Sequence, residues 1–194
     1  MSKAEQTKLF IIEKTAPVFN KKGFGGTSLT DITSVTGLTK GSIYGNFTNK
    51  DEVALAVFDH NLQKIDTIIN AEMSKYDTAK DKLLVYVNVY DNFLHYPFPE
   101  GGCPILNTAT ESDDTHPELK KRAANALNSW KNKITRLIEK GVSAKEFNKN
   151  TDAEKTALTI IATIEGAIMI TKLTGKINYR NAVMESVKSI INGL

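Results

Sequence analysis

Apolar residues recur along this chain at every third or fourth position, the period of a helix, and nowhere alternate as a strand would. Leu9, Ile12, Ala16 and Phe19 make a first stripe, and Val53, Val57, Phe58, Leu62, Ile65 and Ile69 a second. Leu83, Val87, Tyr90 and Leu94 follow, then the longest, Leu119, Ala123, Ala126, Trp130, Ile134 and Leu137. Leu158, Ile161, Ala162 and Glu165 open another, and Val183, Val187 and Ile190 mark the last. A capping residue followed three positions later by an acid recurs at Ser2/Glu5, Ser28/Asp31, Asn49/Glu52, Thr78/Asp81, Thr115/Glu118 and Thr151/Glu154. Each such pair satisfies first-turn amides and complements the helix dipole, so these positions predict helix starts. Gly23, Gly141 and Gly175 stand where helices should stop, and Pro17 predicts a kink inside the first. The pattern predicts an all-α protein of about nine helices, with no sheet.

One segment breaks from this pattern. Half of the 12 glycines lie between Gly23 and Gly45. There, Ser28 should cap a helix of about two turns ending near Thr36. Gly37 allows a sharp turn, and Thr39 should cap a second short helix through about Asn46. Leu29, Ile32, Val35, Leu38, Ile43 and Phe47 would pack inward, leaving Thr39, Lys40, Ser42, Tyr44 and Asn46 outward. Two short helices across a glycine turn, the second polar and cationic, form a helix-turn-helix. Such a helix fits the major groove of B-DNA, and helix starts at Ser28, Thr39 and Asn49 can offer amides to phosphates.

Charge supports that reading once it is divided. Residues 1–50 hold seven lysines against three acids, while the rest of the chain holds 18 basic and 19 acidic residues. The positive charge sits in the first quarter, as expected of a polyanion-binding head on a near-neutral body. One cysteine, Cys103, excludes a disulfide framework within the chain and reads as a small buried side chain in a reducing compartment. No basic stretch followed by an apolar one opens the chain, so no secretory leader is expected. The apolar run Thr156–Thr171 is interrupted by Glu165, so no membrane span is expected either.

The phrase Gly23-Phe24, Thr27-Ser28, Asp31-Ile32, Gly37-Leu38-Thr39-Lys40-Gly41-Ser42-Ile43-Tyr44, Phe47 and Lys50-Asp51-Glu52 resembles the TetR family of bacterial transcriptional regulators. The match is multi-point and covers about the first 55 residues. The chain departs from the family pattern at Gly45, where a larger side chain is common, and at Pro17. The resemblance implies a three-helix DNA-binding head, residues 1–48, on an effector-binding and dimerisation body, residues 49–194. It makes Thr27, Ser28, Thr39, Lys40, Ser42, Tyr44, Asn46 and Lys50 the expected DNA contacts. It also implies a cytoplasmic homodimer on a palindromic operator, closed by helices of about 152–173 and 179–192. Ala153, Ala157, Ile160, Ile164, Ala167, Ile168, Val183, Val187 and Ile191 would form that seam. A small apolar or amphipathic effector would enter a pocket lined by Leu62, Ile65, Tyr90, Phe93, Leu94, Asn107, Trp130 and Met169.

The remaining chemistry is plain. Gly23-Phe24-Gly25-Gly26 lacks the lysine-hydroxyl ending of a phosphate loop. Glu111, Asp113, Asp114 and His116 form an acidic cluster beside Pro117 that reads as helix capping rather than a metal set. His60 and His95 read as solvated or satisfied side chains. No nucleophile with a neighbouring histidine and acid is present, so neither an enzyme nor a cofactor is expected. The reading is a repressor released from DNA by an effector; its rival is a constitutive DNA-binding protein of the same fold. A protein-binding module is a more distant alternative, set apart by weak salt dependence.

Overall fold

Capping side chains set most of the helix starts in the computed structural model, which describes residues 1–92 and 96–194. Among the described residues there are nine helices and no strand. They are α1 (Lys3–Gly26), α2 (Leu29–Thr36), α3 (Lys40–Tyr44), α4 (Lys50–Met73) and α5 (Ala79–Asp91), then α6 (Pro104–Ser112), α7 (Pro117–Ser143), α8 (Ala153–Thr174) and α9 (Ile177–Asn192). Ser2, Ser28 and Thr78 cap as expected, the first two in reciprocal boxes with Glu5 and Asp31. Asn49 Oδ1 accepts the Glu52 N–H at 2.9 Å.

Two starts lie one residue later than the spacing predicts. Pro117 occupies the first helical position of α7 and moves the cap from Thr115 to His116; His116 Nδ1 accepts the Leu119 N–H at 3.2 Å. Asp152, not Thr151, accepts the Lys155 N–H before α8, as the stronger acceptor should. Two breaks also differ. α1 keeps helical dihedrals through Pro17 and loses them at Gly23, whose φ is 74°. α7 runs through Gly141 to Ser143, because that glycine makes room rather than a stop: a Cβ there would sit 2.2 Å from the Phe147 ring.

The chain divides into two compact units, residues 1–65 with 99–124, and residues 66–98 with 125–194. In the first, Ile11, Ala16, Phe19, Ile32, Ile43, Phe47, Val53, Val57 and Phe58 are buried. The buried face of α1 is turned from the expected stripe: Ile11 and Thr15 are inside and Leu9 is exposed. Val35, expected inward, is also exposed. In the second unit α5 is buried on most sides through Leu83, Val85, Tyr86, Val87, Val89 and Tyr90, and it packs with α9 and α8. The Arg180 guanidinium, buried on α9, donates to Asp91 Oδ1 at 3.3 Å. α8 is long and apolar enough by composition to cross a membrane, but its inner face is buried in this unit.

Candidate nucleic-acid interface

Local chemistry builds the two short helices. The Ser28 hydroxyl accepts the Asp31 N–H at 3.1 Å, and Asp31 Oδ2 accepts the Ser28 N–H at 2.8 Å, fixing the start of α2. Gly37 ends it with φ 68°, a left-handed conformation that a side chain would oppose. Thr39 then caps α3, its hydroxyl accepting the Ser42 N–H at 3.2 Å. Ile43 and Phe47 anchor α3 to the core with almost no exposed surface. The opposite face carries exposed Thr39, Lys40 and Gly41, with Ser42, Tyr44 and Asn46 half-buried beside them. A Cβ built on Gly41 meets nothing closer than Thr39 Oγ1 at 3.9 Å, so the surface there is low and open. A single turn and a half of helix, with one free ammonium and small hydroxyls, suits close approach to base edges and phosphates.

Three of the expected contacts are turned elsewhere. Thr27 is fully buried, and its hydroxyl donates to Gly23 O at 2.6 Å. The Asn46 amide donates to Ser42 O at 2.9 Å, within its own turn. Lys50 Nζ donates to Phe24 O at 2.8 Å and Thr27 O at 3.0 Å, and lies 4.0 Å from the centre of the Phe24 ring. The ammonium thus caps the carbonyl end of α1 and is half-buried.

That end of α1 is a meeting point no local pattern announces. Glu111, at the end of α6, accepts the Phe24 and Gly25 N–H groups, each at 2.7 Å, one on each carboxylate oxygen. His116 stands edge-on to the Phe24 ring, 4.5 Å between centroids, and its Nε2 is 2.9 Å from Asp51 Oδ1. With Nδ1 accepting from the helix, Nε2 carries the proton and donates to Asp51. The acidic cluster around Pro117 thereby separates: His116 caps α7, whereas Glu111 binds α1. The turn at Gly23 lies more than 80 residues before Glu111 and His116, so no local spacing could reveal this.

Two carboxylates of the first unit are held ionised. The Lys22 ammonium and then the Ser28 N–H hold Asp31 well below the usual carboxylate range. The Thr48 N–H, then Lys8, lowers Glu52 to about 2.

The expected effector residues are distributed. Leu62, Ile65 and Asn107 belong to the first unit, where Asn107 donates to Asn20 O at 3.0 Å. A small cavity of about 30 Å³ lies beside Asn20, Asn61, Asn107 and Glu111. Tyr90, Trp130 and Met169 belong to the second unit; Tyr90 stacks on Trp130 with 5.3 Å between centroids, and Met169 is exposed. Phe93 and Leu94, like His95, lie outside the described residues. Of the expected seam, Ala157, Ile160, Ile164, Ala167, Ile168, Val187 and Ile191 are buried inside the unit itself, and Ala153 and Val183 are half-buried. The large apolar side chains that α8 and α9 leave exposed are Leu158, Met169, Leu173, Ile177 and Tyr179.

Comparison with known proteins matches residues 11–57 to the bacterial regulatory proteins of the tetR family and residues 79–187 to the tetracyclin repressor-like C-terminal domain. A TetR-family transcriptional regulator from Cytophaga hutchinsonii superposes with a TM-score of 0.96 and 49% identity, covering 100% of this chain and 97% of its own. The HTH-type transcriptional regulator TtgR of Pseudomonas putida is 27% identical over 169 residues, 85% of this chain and 80% of that protein. FadR from Bacillus subtilis, solved with stearoyl-CoA, shares the fold at a TM-score of 0.74 and 19% identity, over 96% of this chain and 98% of its own.

Proposed function

Because the chain belongs to the TetR family of DNA-binding transcriptional regulators, we propose that it is a repressor that leaves a palindromic operator when a small apolar or amphipathic molecule binds its body. In this reading residues 1–48 are the DNA-binding head and 49–194 the effector-binding and dimerisation body, and the protein works in the cytoplasm as a regulator and not an enzyme. Ser28, Thr39, Lys40, Ser42 and Tyr44 supply the contacts, with Gly41 as the point of closest approach. Two heads on successive major grooves would be about 34–36 Å apart, which requires a dimer. The exposed apolar set Leu158, Met169, Leu173, Ile177 and Tyr179 supports a second copy covering α8 and α9, since soluble chains rarely leave such a patch to water.

The observation that carries the effector is Trp130. Its indole N–H is buried and, among the described residues, has no hydrogen-bond partner; it lies within a cluster of Tyr86, Tyr90 and Phe98. An unmet buried donor costs about 1–3 kcal/mol, which a bound acceptor would recover. The FadR relative in complex with stearoyl-CoA supports an amphipathic ligand class.

Trp130 is the chain's single tryptophan, so its fluorescence reports directly on this site. The experiment screens amphipathic compounds by Trp130 emission, then measures affinity for a duplex selected from a random library, with and without a saturating hit. Release supports the reading, because a ligand shifts the protein only through unequal affinity for its two states. Unchanged affinity with a saturated site favours the constitutive alternative.

A further inference from the structure

Residues 23 to 27, the end of α1 and its cap, lead directly into the helix-turn-helix, so whatever holds them sets where α2 and α3 point. Two side chains from distant parts of the chain hold them from opposite sides. Glu111 receives the N–H groups of Phe24 and Gly25, both at 2.7 Å. Lys50 donates to the carbonyls of Phe24 and Thr27 at 2.8 and 3.0 Å. The carboxylate reaches these amides because Gly23 has φ 74° and no side chain; a Cβ there would stand 2.3 Å from Glu111 Oε2. Successive N–H groups after such a turn form a concave cradle for an anion. Phe24, the residue between the two clamps, is flanked by the Lys50 ammonium and the His116 ring.

We infer that Glu111 is a positioning residue for operator recognition: from α6 it latches the turn of α1 that aims the recognition helix. The inference rests on the DNA-binding role of the head and is independent of whether an effector exists. A charged acceptor on two amides holds direction as well as distance, since both bonds must be kept at once. Without it the turn retains only the Lys50 side of the clamp, and the head can rotate within a folded unit. A head so loosened still meets phosphates but no longer meets one set of base edges.

Electrostatics alone predicts the opposite sign. Removing a negative charge from a DNA-binding unit should tighten binding to every duplex. Glu111→Gln separates the two, because its amide keeps the shape but offers one acceptor where the carboxylate offers two. The probes are a duplex selected from a random library with the wild-type protein, and a scrambled duplex of equal length. Thermal melting and the DNA-competent fraction are measured alongside. Asp114→Asn, an exposed acid on the neighbouring loop, is the charge control.

The expected result for Glu111→Gln is a roughly tenfold loss on the selected duplex, the scale of one charge-assisted hydrogen bond, with scrambled-duplex affinity within about twofold of wild type. Asp114→Asn should leave the ratio of the two affinities intact. Should Glu111→Gln fold poorly, Glu111→Asp, too short to span both amides, is read in the same way. The inference is overturned if the ratio is unchanged. It is also overturned if both duplexes lose equally with a reduced competent fraction, the mark of lost stability alone.

Discussion

Lys50 is the residue for which sequence and structure give opposed expectations, and Lys50→Met decides between them. Its ammonium makes two charge-assisted hydrogen bonds to the carbonyls of Phe24 and Thr27 and sits 4.0 Å from the Phe24 ring centre. A hydrogen bond to a charged group contributes about 1.5–3 kcal/mol, and a partly exposed cation–π contact about 0.5–1 kcal/mol. The contributions are not additive, and water can reach part of the half-buried site, so a net loss of about 2–3 kcal/mol is expected. Methionine keeps most of the apolar stem, which limits the change to the ammonium. For a chain of this size each kcal/mol moves the melting temperature by about 2–4 °C, so the expected drop is about 4–12 °C. The assay is circular dichroism melting at fixed protein concentration, paired with the salt dependence of binding to a scrambled duplex. That slope should not change, because no phosphate contact is lost. An unchanged melting temperature with a slope shallower by about 0.9 would place Lys50 on a phosphate and refute the inward assignment.

Thr27→Val should leave scrambled-duplex affinity intact while lowering stability by about 1 kcal/mol, because the hydroxyl serves Gly23 O and not DNA; equilibrium urea unfolding and a mobility shift check both. Gly141→Ala should cost about 1–3 kcal/mol or more, since its Cβ would collide with the Phe147 ring at 2.2 Å, although alanine is the better helix former; urea unfolding reads the sign. Asp31 and Glu52 both have folded pKa values below their unfolded values of about 3.9 and 4.3. Their contribution is therefore complete above about pH 5 and declines as pH falls from about 4 toward 2. A series of melts over that range should show the decline, and Glu52→Gln should flatten it; a curve identical to wild type would remove Glu52 from the linkage.

What lies within four residues was open to reading along the chain. Ser28 with Asp31, Thr39 with Ser42 and the left-handed turn at Gly37 follow from local hydrogen bonding and backbone sterics, so the helix-turn-helix and its boundaries were legible, as were the all-helical class and the helix number. The exposure of Thr39 and Lys40 followed too, because Ile43 and Phe47 carry the buried side of α3, but Ser42, Tyr44 and Asn46 are half-buried. The phase of α1 and the exposure of Val35 were not legible, since a stripe gives a period but its packing partner selects which side is covered. Lys50, Thr27 and Glu111 were harder still. Lys50 reads as a DNA contact and Glu111 as part of a capping cluster, and only the approach of amides and carbonyls at the end of α1, 23 to 87 residues away, turns them inward. The same holds for α8 and α9: the sequence made both helices and their apolar faces, but the tertiary structure decided which apolar residues the chain covers itself and which it leaves open.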